Sequence, residues 1–167
     1  HDRIKRHNEI VQKIEQHCKS KKWTVENEPR IRHSDGQLYK PDLAIHLSDQ
    51  KIVITDVQVS WDGSESSMDE IYSRKKGVYG NKKFIEAGKK VWPGKDLQFC
   101  PLILGARGIW PRANRPTEDT LTIPQSLKNS CVQSTLKWGS TLHNNFMRAV
   151  WKRKGPRPNQ NNIQGNG

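Results

Sequence analysis

Residues 40–60, KPDLAIHLSDQKIVITDVQVS, form the most apolar part of a very polar chain, yet they place Asp42 and Asp56 inside the apolar runs. Alternation and β-branched content predict two strands, about Leu38–Leu47 and Lys51–Ser60, joined by Ser48-Asp49-Gln50. The second strand is β-branched on both faces, as a central strand is. With the connection centred on Asp49, Leu47 faces Lys51, Asp42 faces Asp56 and Lys40 faces Gln58. Directly opposed residues share a sheet face with Cβ atoms about 5 Å apart, and like charges there are destabilising. Something must compensate them. A divalent cation does so, because Mg²⁺ takes hard oxygen ligands and is commonly held by one or two carboxylates, waters and substrate phosphate. The plainer alternative has Asp42 capping a bend after Pro41 while Asp56 pairs with a lysine.

Ile4, His7, Val11, Ile14 and Cys18 recur at spacings of three and four and predict one face of a first helix. A strand follows at Trp23 to Glu28, then a turn at HSDGQ with its Asp35-Gly36 pair. The loop WDGSESS supplies Ser66 or Ser67 as a cap for a second helix, whose inward face carries Met68, Ile71, Tyr72, Lys75 and Tyr79, loosened near Gly77 and Gly80. LQFCPLILGA reads as another buried strand with Gly105–Gly108 as its exit. From Pro124 a long helix presents Leu127, Cys131, Thr135, Trp138, Leu142, Phe146 and Val150, with Gly139 as a possible break. The expected fold class is α/β, a mixed sheet flanked by helices plus a long C-terminal helix, in one domain over residues 1–152. The polar, basic tail 153–167 has almost nothing to bury and is expected to be disordered.

Lys and Arg outnumber Asp and Glu by 29 to 17, a formal charge of +12. That surface favours polyanions, nucleic acid first. No apolar stretch approaches the roughly 20 residues that span a bilayer, so no membrane partner is expected and a soluble intracellular setting is the default. The first residue is His1, not Met, which reads as a domain cut from a longer chain or a processed product. Cys18, Cys100 and Cys131 are odd in number and far apart, the pattern of reduced core residues rather than a disulfide framework or a zinc cluster. Arg107, in the strand exit, is placed for a phosphate contact. Trp61 and Trp110, beside loops, are the better candidates among six tryptophans for stacking on unpaired bases.

Pro41-Asp42, then thirteen residues, then Asp56-Val57-Gln58, on a hairpin that follows a helix, resembles the PD-(D/E)XK nuclease superfamily, and more closely the restriction-like endonuclease domain of site-specific non-LTR retrotransposons. Arg6-His7-Asn8 matches that family's run at the start of the first helix, and Lys75 and Tyr79 match the lysine and tyrosine on the helix after the second acid. The resemblance covers roughly residues 3 to 110. One departure is Gln58, standing where the superfamily usually has a lysine; enzymes resembling this family move that lysine to the following helix. At about 100° per residue Lys75 sits mid-stripe and Lys76 towards the edge, while Lys40 on the strand is the rival. Glu9 lies about 170° and Glu15 about 70° from the inward face of the first helix, so neither is aimed at a site there. His7 points inward, to orient a ligand, to contact phosphate or as a satisfied core histidine.

The resemblance implies a PD-(D/E)XK restriction-endonuclease-like core and a Mg²⁺-dependent DNA endonuclease, with Mn²⁺ able to substitute. Asp42, Asp56 and the Val57 carbonyl hold metal; Lys75, Gln58 and Tyr79 join the acids in catalysis; Arg6, His7, Lys40, Lys76 and Arg107 contact DNA. The substrate is double-stranded target DNA, nicked in the nucleus to give a 3′ hydroxyl that primes reverse transcription. Further partners are the upstream reverse transcriptase region of the same polyprotein and element RNA. Two alternatives stand beside it: a non-catalytic nucleic-acid-binding module on a nuclease-like scaffold, and a junction-resolving nuclease.

Overall fold

The computed structural model describes residues 2–61 and 65–154. From residue 155 onward the expected tail lies outside the described residues, as does the centre of the WDGSESS loop.

Helix α1 (Asp2–Ser20) is followed by β1 (Thr24–Asn27), β2 (Ile31–Arg32), β3 (Leu38–Tyr39), β4 (Leu43–His46), β5 (Lys51–Thr55) and β6 (Val57–Ser60). Helices α2 (Glu65–Tyr79) and α3 (Lys82–Val91), strands β7 (Asp96–Phe99) and β8 (Leu102–Gly105), a short 3₁₀ turn (Arg112–Asn114), α4 (Arg115–Leu121) and α5 (Gln125–Lys154) complete it. The mixed α/β architecture is as expected. The main sheet runs β1-β4-β5-β7, antiparallel except for β5 with β7, beside the small pairs β2-β3 and β6-β8. No helix among the described residues is long and apolar enough to cross a membrane.

The β4-β5 hairpin has the expected register, Leu43 opposite Thr55 through His46 opposite Ile52, with the Leu47 amide donating to the Lys51 carbonyl at 3.0 Å. β5 is apolar on both faces because both are covered. Val53 packs with Ile10, Ile14 and Cys18 of α1, while Ile52 and Ile54 pack with Phe84 and Ala87 of α3. At this density each large aliphatic side chain contributes about 1.5–3 kcal/mol by burial.

All three long strands expected from the apolar runs are interrupted. Lys40-Pro41-Asp42 separates β3 from β4, and Cys100-Pro101 separates β7 from β8. Proline cannot donate to a ladder. At Asp56 the chain passes from β5, in the four-stranded sheet, to β6, which pairs with β8 alone. The break is bridged by the Cys100 amide on the Ile54 carbonyl (2.9 Å) and the Leu102 amide on the Asp56 carbonyl (3.0 Å), so one parallel pair bends at this point and continues. The outer edge of β8 is closed by a side chain. Asn114, fully buried, accepts from the Ile103 amide at 2.9 Å and donates to the Ile103 carbonyl at 2.7 Å, replacing a strand.

The helices depart from expectation in several places, among them α4, which was not expected. Ile4 is 64% exposed, and the buried line of α1 is Arg6, Ile10, Ile14 and Cys18. α5 crosses α1 antiparallel, with Lys13 on Ser130 (2.6 Å), Glu9 on Ser134 and Trp138 (both 2.6 Å) and Asp2 on Asn145 (2.7 Å). α1 has 19 residues, about 28 Å at 1.5 Å each, and α5 has 30, about 45 Å. The stripe is therefore buried at Cys131 and Thr135 but past the end of α1 at Phe146, which is 65% exposed. Gly139 does not break α5; it faces the Ala106 carbonyl, 3.4 Å from where a Cβ would stand. Ser66 and Ser67 lie inside α2, which begins at Glu65, rather than at the position before it. α3 was not expected. Asn81 caps it by accepting from the Phe84 amide at 2.8 Å, and Gly88 lets it close on β7, where an added Cβ would stand 2.5 Å from Leu97.

Candidate active site

The bend at Asp56 gathers the charged residues. Asp42 ends the irregular segment before β4, its backbone carbonyl accepting from the Glu28 amide at 2.8 Å. Its Oδ2 accepts from the Val57 amide at 2.6 Å and meets Nε2 of His7, from α1, at 3.1 Å. Asp56 is 6% exposed. Its Oδ2 takes an ion pair from Lys75, and its Oδ1 accepts from the Tyr79 hydroxyl at 3.4 Å, both residues from α2. Tyr79 is fixed by ring contacts with Phe84 and Phe99 at 5.2 and 4.7 Å between centroids.

Strand geometry explains the reach of α2. Val57 and Val59, with their β8 partners Leu102 and Leu104, pack towards α1, whereas Ile103, the partner of Gln58, packs with Met68 and Tyr72 of α2. Alternation puts Asp56 and Gln58 on that α2 face. The Val57 amide points at Asp42, and the carbonyl of an extended residue projects to the same side as its amide.

Burial, then the Asp42 charge, push the Asp56 carboxyl above its ordinary range, and Lys75 and His7 offset only part of that. His7 is raised to about 9, chiefly by its hydrogen bond to Asp42, so near neutral pH it is a cation. The opposed carboxylates are thus compensated within the protein, one by His7 and the other by Lys75. Burial, then Asp56, also drive the Tyr79 hydroxyl upward, which keeps it a neutral donor.

Among the described residues no group of three or more His, Cys, Asp or Glu side chains is arranged to hold a metal ion. Two aspartates and a carbonyl on one side are nevertheless a donor set of hard oxygens. They fit Mg²⁺, which keeps several waters and needs only one or two carboxylates, and do not make an all-protein Ca²⁺ or Zn²⁺ cage.

The other expected site residues are dispersed. Gln58 is half-buried and donates to Ser60 Oγ at 2.6 Å. Lys40 pairs with Glu28 at 3.0 Å instead of facing Gln58, because the β4-β5 ladder stops at Leu43 and Thr55. Lys76 is exposed at the rim of α2. Arg6 is buried at 8% exposure, on the inner line of α1. Arg107 is exposed in the turn after β8, its guanidinium 4.6 Å from the Trp61 ring centroid. Trp110 is half-buried and donates to Glu118 at 2.6 Å, a structural role. Glu9 contacts Ser134 of α5, whereas Glu15 accepts from Asn27 and lines the same cavity as His7 and Asp42. The three cysteines are free and buried, as expected. Sequence reasoning missed Asn8, whose carbonyl oxygen lies 3.3 Å from Nδ1 of His7; the unbroken Arg6-His7-Asn8 run was its only signal.

Fold and site together define a mixed α/β protein with two aspartates, Asp56 buried and Asp42 partly exposed, each carrying a cation, at the bend of a parallel strand pair. Its similarities are to part of a mobile-element protein. Three relatives from Popillia japonica are each a retrovirus-related Pol polyprotein from type-1 retrotransposable element R2. One is 54% identical over 158 residues, 95% of this chain and 26% of that protein. A second is 49% identical over 157 residues, 94% of the chain and 35% of the relative, and a third 33% over 150 residues, 90% and 30%. The chain spans about a quarter to a third of these relatives. These identities support a region of a non-LTR retrotransposon protein. No protein-family model matches the chain.

Proposed function

We propose that this region is the restriction-like endonuclease domain of a non-LTR retrotransposon polyprotein, with a PD-(D/E)XK core, and that it nicks double-stranded target DNA to give a 3′ hydroxyl for target-primed reverse transcription. The observation that carries the reading is the convergence of Asp42, Asp56, Lys75 and Tyr79 from three separated segments onto one bend. Asp42, Asp56 and the Val57 carbonyl hold Mg²⁺ or Mn²⁺. When bound, such a metal activates water and offsets charge on the phosphate. Lys75 leaves Asp56 to stabilise charge developing on the scissile phosphate. Tyr79 holds the Asp56 carboxylate in place, and His7 fixes Asp42. Gln58 can orient a water but supplies no charge. The exposed Lys76 and Arg107, with the +12 surface, draw the duplex in. The partners are the reverse transcriptase part of the same polyprotein and element RNA, in the nucleus.

The test is nicking of supercoiled plasmid with Mg²⁺, Ca²⁺ or EDTA. Cleavage that needs Mg²⁺ and disappears in Asp56→Ala with DNA binding retained supports the reading. A chain that binds DNA and never cuts it favours a non-catalytic module instead. The observation on that side is that His7 and Lys75 already compensate both aspartates.

A further inference from the structure

Trp61 is 72% exposed, an unusual position for the largest apolar side chain, and it is held in place. The Arg107 guanidinium lies 4.6 Å from its ring centroid. The two residues follow the ends of the parallel strands β6 and β8, which are tied there by the Ala106 amide on the Ser60 carbonyl at 2.7 Å. The turn that carries Arg107 is itself fixed. The Gly108 amide donates to the Gly105 carbonyl at 3.0 Å, Gly108 has φ +92°, and a Cβ there would meet Leu136 and Val132 of α5 at 3.0–3.2 Å. Only glycine combines that backbone with that approach. Ile109 and Leu136, both about half exposed, border the same turn.

An indole with a cation on one face and this much exposure offers its other face to solvent. A planar π system stacks there, and the cation polarises the stack. Neither a duplex, whose bases are already stacked, nor a phosphate alone can use that face. We propose that Trp61, backed by Arg107, is a platform for an unpaired nucleobase, so that the DNA bound by this region is partly single-stranded beside the cleavage point. The +12 charge supplies the backbone attraction that such a platform lacks. Trp61 follows Asp56 by five residues of extended chain, about 16 Å at 3.3 Å per residue. At about 3.4 Å per nucleotide, the stacked base lies about five nucleotides from the phosphate at Asp56.

The position of the base rests on the nuclease reading, whereas the platform can be tested without it. The full chain in EDTA is titrated by fluorescence anisotropy against a blunt duplex, the same duplex with an oligothymidine overhang, and that overhang made abasic. The wild-type chain is expected to prefer the thymidine overhang over the other two. Trp61→Ala should reduce that preference about tenfold, the scale of one base-aromatic stack, to the level of the abasic probe. Trp61→Phe should restore most of it. Equal losses on all three probes, or a preference untouched by Trp61→Ala, overturn the proposal. Tighter Trp61-dependent binding to an oligouridine overhang than to thymidine overturns the choice of DNA. Absence of cleavage with Mg²⁺ sinks the nuclease reading and leaves these affinities as they stand.

Discussion

Replacing Lys75 by Met keeps an unbranched aliphatic stem at this position of α2 and removes the charge. The partner left behind, Asp56, has a side chain 8% exposed, whereas that of Lys75 is 26% exposed. Breaking a buried ion pair from one side costs about 3–5 kcal/mol, because a charge remains in a poor solvent. Lys75 itself is partly hydrated and Tyr79 stays on Asp56, so the low end, about 3 kcal/mol, applies near neutral pH. For a chain of this size that lowers Tm by roughly 6–12 °C. Asp56→Asn removes the troublesome charge and leaves a lysine that can reach water, so it should cost under about 1 kcal/mol. In the double variant the two changes should cancel most of the Lys75→Met loss, a coupling of about 2 kcal/mol.

The pH dependence has a definite sign. A carboxyl raised by burial favours the fold while it is protonated, below its unfolded pKa, and loses that contribution as pH rises through its folded value. Without Lys75 that rise is larger, so the Lys75→Met deficit should be full near neutrality and shrink on acidification. Mg²⁺ at about a hundredfold excess over its Kd should return about 2.7 kcal/mol to Lys75→Met. Urea unfolding of the four proteins across pH, with and without Mg²⁺, reads all of this. A Lys75→Met deficit below about 1 kcal/mol, or one that persists unchanged in acid, would refute the buried-charge argument.

In single-turnover cleavage at saturating enzyme, Lys75→Ala should lose a hundredfold or more in rate with DNA binding nearly retained, Lys76→Ala should lose little, and a dead Lys40→Ala beside an active Lys75→Ala would move the role to the strand. Asn114→Ala strands the Ile103 amide and carbonyl together and should cost about 3 kcal/mol in chemical denaturation; a cost below about 1 would mean water replaces the side chain. Glu9 is held below its ordinary pKa by Ser134 and then Trp138, so its contribution exists above its unfolded pKa and is lost as pH falls through its folded value; Glu9→Gln should destabilise near neutrality and match the wild type in acid. Log affinity for duplex DNA should fall with log salt by about 0.9 per phosphate neutralised, and a nearly flat line would contradict electrostatic binding.

The hairpin register was legible because Asp49 centres an odd-length turn and period-two patterning admits one pairing. Lys75 was legible from helical phase alone, since Met68, Tyr72 and Tyr79 flank it on one face. The division at Asp56 was not. β-branched residues run through it unchanged, and only the change of neighbour from β4 to β8 reveals it. A lysine partner for Asp56 was among the readings, but that it is Lys75, and that His7 answers Asp42, was hidden, because these partners lie 19 and 35 residues apart in sequence. The exposed end of α5 shows the converse limit: an apolar stripe records a face without recording how long its cover is. α3 escaped because lysines dilute its apolar line, although Asn81, Phe84, Ala87 and Gly88 carried the signal.

The buried amide of Asn114 has a meaning for the company this region keeps. An open strand edge is a template on which another chain can add itself, and a region tethered within a longer polypeptide meets its neighbours at high local concentration. By occupying the Ile103 backbone on the outer side of β8, Asn114 denies that edge to any passing strand. Its loss therefore acts twice, loosening the fold and uncovering an adhesive margin. Self-association that grows with protein concentration, before any unfolding, is the mark of the second effect.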